Sequence, residues 1–437
     1  VAERVHDFVA IGVGPFNLGL AALAAPITEL DGIFLDARPA FGWHPGMMLE
    51  SAHLQVPFLA DLVTMADPTS PYSFLNYLKQ AGRLYPFYIR EDFYPLRAEF
   101  DAYCRWVVGS LPAVRFGQSV EDVAYDDAAG TYRVTATSAA GSTVHHARRL
   151  VLGTGTTPAV PEHCADLVAE ASSDVIHSSG YLASRGALLL RDDVTVVGSG
   201  QSAAEVFHDL LSADRTRTLR WITRSPRFFP LEYTKLTLEM TSPEYVDYFH
   251  GLPPTERDRL GAEQKNLYKG IDGDLVNAIY DLLYQRSVAG APDVEILTNT
   301  ALTAVERSGG GLELSLHHEE QDRRFSLSTG AVVLATGYSY REPAFLRGIS
   351  DRIARLPDGR YDVDREYGIS RQPGEILVQN AELHTHGFAA PDLGMGAYRN
   401  SVIIARMLGH EYYPVENRIA FQRFGAPSGA RAEARTH

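Results

Sequence analysis

Two sets of residues in this chain are spaced to hold phosphates. The first is Gly12-Val13-Gly14-Pro15-Phe16-Asn17, with Asp36 about twenty residues on, where an acid can accept from a ribose hydroxyl. Gly12 permits a tight turn, and Gly14 lets a pyrophosphate approach the backbone. The helix that opens at Pro15 offers its free N–H groups to that negative charge. Asn17 stands where a third glycine is usual. The second set is Gly198-Ser199-Gly200-Gln201-Ser202, and here the strand that follows ends on Arg224 instead of an acid. A guanidinium matches a 2′-phosphate as a carboxylate matches an unmodified ribose. Two different dinucleotides are therefore expected, FAD at the first set and NADPH at the second.

For these residues to converge, each glycine turn must lie between a strand and a helix. Phe8-Val9-Ala10-Ile11 is a buried-strand run, an alanine- and leucine-rich helix follows the turn, and Ile33-Phe34-Leu35 ends at Asp36. Val194-Thr195-Val196-Val197, an apolar helix through Leu211, and residues 219–223 repeat the plan. The alternating run 132–137 predicts a half-exposed strand. Residues 149–152 lead into Gly153-Thr154-Gly155, and Val332-Val333-Leu334 into Ala335-Thr336-Gly337-Tyr338. Both predict strands returning to a nucleotide unit and ending in a glycine turn beside a cofactor, which makes Thr336, Gly337 and Tyr338 cofactor-side candidates. The fold class expected is α/β, with two Rossmann-like dinucleotide-binding domains and a small helical lobe. The FAD-binding domain is read as discontinuous, 1–190 and 336–426, and the NADPH-binding domain as 191–225 and 287–335. The aromatic-rich stretch 226–286 is read as a helical lobe closing over the active site, and 427–437 as a disordered tail.

A chain of 437 residues suits two or three domains. Its 45% hydrophobic and 22% charged content is globular, not disordered. A formal net charge of -14 argues against a nucleic-acid surface and is compatible with a cationic small substrate. Cys104 and Cys164 stand far apart and in no CxxC spacing, so neither a redox dithiol nor a cysteine-bound metal is expected, and the chain is read as cytoplasmic. The apolar stretch 8–27 is interrupted by Gly12, Gly14, Pro15 and Asn17 and preceded by His6 and Asp7. It is read as neither a signal segment nor a membrane span.

In order along the chain come Gly12 to Leu18, Gly42-Trp43-His44-Pro45-Gly46-Met47, Leu54-Gln55-Val56-Pro57-Phe58-Leu59, Asp67-Pro68-Thr69-Ser70, the turn from Gly198 to Glu205, and Leu334 to Tyr338. Together they resemble the flavin-dependent N-hydroxylating monooxygenases of siderophore biosynthesis, and the resemblance runs to Gly409. It implies FAD and NADPH as cofactors, O2 as co-substrate, and an unprotonated primary amine that leaves as a hydroxylamine. It places Trp43, His44 and Gln55 at the flavin. Gln55 can donate and accept near the activated oxygen and Trp43 can form an apolar wall against water, so these two are the catalytic candidates. A homo-oligomer, dimer or tetramer, is a further implication. No general-base triad is visible.

Members of that family acting on ornithine or lysine usually carry a lysine after the Phe-Leu of the Gln55 motif; here Ala60 stands there. The family's substrate-side serine corresponds to Gly394, and an asparagine used by ornithine enzymes falls near Leu238. Without these, a buried substrate carboxylate would lack partners at a cost on the order of several kcal/mol. The resemblance thus implies a diamine without a carboxylate, cadaverine or putrescine, cadaverine being slightly preferred. Glu239 and Asp392 are expected as acceptors for the distal ammonium, and Asn266 with the backbone near Leu267 as the holder of the reacting amine. The nearest rival is an L-lysine side-chain hydroxylase drawing a cation from elsewhere. A rival of another class is a flavoprotein that oxidises NADPH without oxygenating anything, and coupling of NADPH oxidation to hydroxylamine separates the two. A disulfide reductase would need the missing dithiol.

Overall fold

The strand Val5–Ile11 is buried along nearly its whole length, as a strand with parallel neighbours on both sides must be. In the computed structural model, which describes residues 4–427 apart from 171, 173, 214–216, 233, 289, 291–292, 373–374 and 417, those neighbours are Gly32–Asp36 and Gly141–Leu152. Val114–Phe116 continues the sheet outward from Gly32–Asp36, and Thr131–Ser138 and Ser119–Asp126 continue it antiparallel from Gly141–Leu152. Ile376–Val378 joins Gly141–Leu152 from late in the chain, which makes this unit discontinuous. The helix Pro15–Ala24 is buried at every residue except Phe16, and it packs against the helix Gly396–Leu408. The tail expected over 427–437 lies outside the described residues from 428 onward.

The second unit is a five-stranded parallel sheet in the order Val294–Leu297, Thr218–Ile222, Asp193–Val197, Ala331–Leu334, Val175–His177. Helix Gln201–Ala213 buries Ala203, Val206, Phe207 and Leu210 in the core of this unit. Two boundaries expected from sequence move. Val175–His177 is an edge strand of this sheet, so the unit begins before residue 191. Helix Gly273–Ser287 lends Ile279, with Leu275 and Val276 beside it, to the same core, so the expected lobe 226–286 loses its last helix to the nucleotide unit. From Lys235 to Ser287 one helix follows another, so the run of helices does not mark where one body ends.

A three-stranded antiparallel sheet, Thr300–Ser308, Gly311–His318 and Arg323–Thr329, was not anticipated. Its period-two leucines, Leu312, Leu314 and Leu316, pack on Val175, Val332 and Leu334 and cover one face of the second unit. The chain passes between the two units twice, and the crossings pair with each other: Thr157–Pro158 runs antiparallel to Tyr338–Ser339. Among the described residues no helix is long and apolar enough to cross a membrane.

Candidate active site and its cofactor cleft

Both glycine turns are pressed against a second glycine turn from the neighbouring strand. Gly12 has φ +87°, and a Cβ there would stand 2.4 Å from the carbonyl oxygen of Gly153; Gly198 has φ +145°, and its Cβ would stand 2.3 Å from that of Ala335. Neither position admits a side chain, so the turns that follow residues 152 and 334 do lie against the nucleotide loops. Gly14 is different, because a Cβ there would meet no protein atom within 4 Å. It borders open cleft, the space a pyrophosphate needs.

That cleft has a volume of about 2600 Å³ and runs from Gly12 and Gly14 past Trp43, His44 and Gln55 to Gly198, Gly200, Gln201, Ser202 and Arg224. Small-molecule pockets hold roughly 300–1,000 Å³, so there is room for more than one ligand. Thr336, Gly337 and Tyr338 lie along the same wall.

Several cleft-lining residues expected at the cofactor also build the cradle. Asn17 is buried; its Nδ2 donates to the Gly12 carbonyl at 2.7 Å and its Oδ1 accepts from Gln379 Nε2 at 2.6 Å. In place of a third glycine it ties the turn to the strand side of the sheet. Gln201 likewise donates from Nε2 to Glu205 at 3.0 Å and accepts at Oε1 from the Asp272 N–H at 2.9 Å. Asp36 accepts from Val13 N at 2.7 Å, Arg38 N at 2.8 Å, Arg38 Nε at 2.9 Å and Arg38 Nη2 at 2.8 Å. Those four donors occupy the lone pairs of its carboxylate, so a ribose hydroxyl would have to displace the Arg38 guanidinium to be bound. Thr336 donates to the Ala159 carbonyl at 2.7 Å.

At the centre of the cleft the polar groups are open. The Nε2 of Gln55 is buried with no partner among the described residues, a donor left for something in the cleft. Trp43 is anchored by its N–H to Asp101 at 2.8 Å and packs edge-on to Phe100 and His44. His44 sits in the left-handed region at φ 48°, and its ring meets Tyr338 edge-on at 5.9 Å. Loss of solvent and the nearby Arg97 push the His44 pKa down to about 4, so the imidazole is neutral at physiological pH. Arg224, at the end of its strand, is exposed to the cleft and has no hydrogen-bond or ion-pair partner among the described residues.

One connection was not legible from motifs. Arg97 reaches across to Glu205 with two bonds, 3.0 and 2.7 Å, and from the same guanidinium to the Met47 carbonyl at 2.8 Å. Both side chains are largely buried. The loop carrying Trp43 and His44 is thereby fastened to the helix that starts at the second glycine turn.

A family model described as L-lysine 6-monooxygenase/L-ornithine 5-monooxygenase matches residues 4–340. The chain belongs to this family. It is a flavin-dependent N-hydroxylating monooxygenase that uses FAD and NADPH. The putrescine N-hydroxylase of Shewanella oneidensis is 50% identical to it, over 100% of this chain and 89% of its own. The FAD-bound cadaverine monooxygenase of the desferrioxamine pathway of Erwinia amylovora is 54% identical with a TM-score of 0.95, covering 98% of this chain and 100% of that one. An ornithine N-hydroxylase from Kutzneria, solved with reduced FAD, NADP+ and L-ornithine, is 27% identical with a TM-score of 0.86, covering 93% and 99%.

The residues expected at the monooxygenase's amine end separate in space. Asn266 lines the cleft, beside Tyr268 and Lys269. Ala60 is buried in a recess of about 10 Å³ with Pro15, Phe16 and Leu393. That space holds at most one water, so an amine substrate must lie in the main cleft, which Phe16 and Leu393 also line. Gly394 adjoins Ala60, and Asp392 accepts from the Gly394 N–H at 2.7 Å. Burial pushes the Asp392 carboxyl pKa up, with the Gly394 and Met395 N–H groups and Arg399 pulling the other way, and Asp392 is not among the residues that line the cleft or the recess. Three expectations need correction. Leu238 is exposed and outside the cleft lining. Glu239 turns its carboxylate to the backbone of Phe421 and Gln422. Leu267 packs into an aromatic cluster with Tyr245 and Phe388, and its N–H is spent on the Gln264 carbonyl. Short helices in this lobe, Lys235–Leu238 and Asn266–Lys269, set which way each residue faces, and sequence position alone does not.

Proposed function

We propose that the monooxygenase hydroxylates one terminal amine of an aliphatic diamine, cadaverine or putrescine, for assembly of a hydroxamate siderophore. The observation that carries this reading is the corner where Ala60 and Gly394 meet Asp392. Among the described residues that line its recess none is a cation, and one, Asp61, is a carboxylate. A substrate carboxylate in the cleft beside this corner would find no cation there, so the corner suits a chain end that carries no carboxylate. Relatives that act on putrescine and on cadaverine, at 50% and 54% identity, support the same substrate class.

FAD, when bound and reduced by NADPH, would supply the two electrons that activate O2, one oxygen atom going to the amine and the other leaving as water. The chain's own residues then have three tasks. Arg224 takes the 2′-phosphate, and Gly14 leaves room for a pyrophosphate. Gln55 donates its unpartnered N–H at the reacting centre, while Trp43, neutral His44 and Tyr338 wall it from water. The near amine, desolvated against Phe16 and Leu393, can then lose its proton and act as nucleophile.

The test is hydroxylamine formation from cadaverine, putrescine, L-lysine and L-ornithine, with NADPH oxidation and peroxide followed together. Both diamines should give product coupled to NADPH, and the amino acids little at concentrations that saturate with a diamine. Equal efficiency on L-lysine would replace this reading with a lysine hydroxylase, for which Lys269 on the cleft wall is the candidate cation. Peroxide without hydroxylamine from every amine would leave an NADPH oxidase.

A further inference from the structure

Four consecutive backbone N–H groups near the end of the described chain are held by two carboxylates. Glu244 Oε1 accepts from Ile419 N at 2.7 Å and Ala420 N at 3.0 Å, and Glu239 accepts from Phe421 N and Gln422 N, each at 3.0 Å. Gln422 adds a side-chain bond to Glu239 at 3.0 Å. Apolar burial is not what docks this stretch at its middle, because Phe421 is 91% exposed. The charged acceptors hold the backbone itself, in bonds stronger than neutral ones.

What the docked segment delivers is Phe424. Its ring meets Tyr245 edge-on at 5.0 Å and 85°. Tyr245 is buried, stands 5.6 Å from Phe388, and donates its hydroxyl to Gln264 Oε1 at 2.8 Å. Phe388 in turn stacks on Tyr268 at 6.5 Å and 12°. Gln264, Tyr268 and Phe388 all line the cleft, with Asn266 between the first two in sequence.

We propose that segment 418–427 positions the amine-binding wall of the cleft, with Glu239 and Glu244 as its fasteners and Phe424 as the contact that sets Tyr245. This rests on the reading of that wall as the amine side. Glu239 is then a positioning residue acting through the segment, not an acceptor for the diamine. The segment touches neither glycine turn, so its influence should fall on amine binding and spare the nucleotides.

The experiment uses the full chain with Phe424→Ala, Phe424→Leu and the pair Glu239→Gln with Glu244→Gln. Hydrogen exchange on the protein without cofactor should show amides 419–422 protected in wild type and opened in the double Gln variant, with faster exchange at 264–269 in Phe424→Ala. Steady-state assays should show KM for putrescine and cadaverine raised by about 2- to 10-fold in Phe424→Ala, the worth of one edge-to-face aromatic pair, and only partly restored in Phe424→Leu, which returns bulk without the ring. KM for NADPH and the rate of FAD reduction should stay as in wild type. An unchanged amine KM in Phe424→Ala, an equal rise for NADPH, or a Glu239→Gln variant that raises amine KM while amides 419–422 remain protected would each overturn the proposal. Failure of wild type on every diamine would instead remove the functional reading, whatever the variants do.

Discussion

A Cβ added to Gly394 would stand 3.8 Å from the Cβ of Ala60. These positions lie more than three hundred residues apart in the chain, yet they form one corner. The two small residues are therefore a single departure from an amino-acid-binding corner, since a cation at one position and a hydroxyl at the other would point into the same few ångströms. Asp392 completes the corner, because the same Cβ would stand 2.9 Å from its Oδ1.

Ala60→Lys should raise KM for cadaverine and putrescine by about tenfold or more, since a buried like charge faces the bound dication. Gly394→Ala tests the corner without adding charge. Its methyl must displace the Asp392 carboxylate, so diamine KM should rise while NADPH KM does not. A variant with unchanged diamine KM at both positions would place the far ammonium elsewhere.

Arg224→Ala should raise KM for NADPH by about tenfold or more and leave NADH nearly untouched, because only NADPH carries the 2′-phosphate that a guanidinium grips with two bonds. Equal losses with both coenzymes would mean that Arg224 reads something other than that phosphate.

Arg97→Met leaves Glu205 buried without its partner, a loss of about 3–5 kcal/mol in stability. Pairing it with Glu205→Gln should recover much of the melting temperature, since no buried charge is then stranded. FAD reduction by NADPH, followed anaerobically, should stay slow in the double variant. Restored stability with restored reduction would show that the bridge holds the fold and nothing more.

The nucleophile must be a neutral amine, and a free alkylamine titrates near about 10.4. Product formation should therefore climb with pH through the neutral and mildly alkaline range until it meets whatever pKa the dry site imposes. FAD reduction needs no amine and should not follow. His44, neutral above about 4, adds no inflection there. Identical pH profiles for reduction and hydroxylation would show that amine deprotonation does not govern the product-forming step.

Stability should fall in acid, partly because of His386. This ring is buried, stacks on Tyr367 at 4.7 Å and bonds Thr385 at Nδ1, and burial with the neighbouring His250 holds its pKa well below 6.5. The unfolded chain takes up this proton near 6.5 and the folded chain does not. This contribution is present in full above that pH, is lost as pH falls below 6.5, and stops changing once the folded ring also takes up the proton. His386→Gln should flatten the dependence of unfolding free energy on pH by up to about one proton below pH 6.5.

Much of the frame was readable because its residues answer to local rules. The strands before Gly12 and Gly198, and the turns at Gly153 and Gly337, follow from apolar runs ending in glycine, and each lies where the pattern puts it. Arg224 was readable because a strand end fixes a direction. Asp36, Asn17 and Gln201 line the cleft and also brace its loops, a duty that spacing does not announce, since a polar residue beside a loop can face the ligand or hold the loop at the same spacing. Glu239 and Leu267 were misplaced because a four-residue helix can turn any face to the cleft. Arg97 with Glu205, and Glu244 with Ile419, join distant stretches, and no periodicity in either stretch announces the other.

The paired crossings at Thr157–Pro158 and Tyr338–Ser339 give the two nucleotide units a common hinge. A body hung on one strand can swivel about it, but a body hung on two hydrogen-bonded strands is confined to bending across them, like a door on a plate. Tyr338 belongs to that plate and its ring meets His44, so a side chain that walls the reacting centre is fixed to the junction of the two units. A substitution that loosens the junction would therefore be felt at the reacting centre as well.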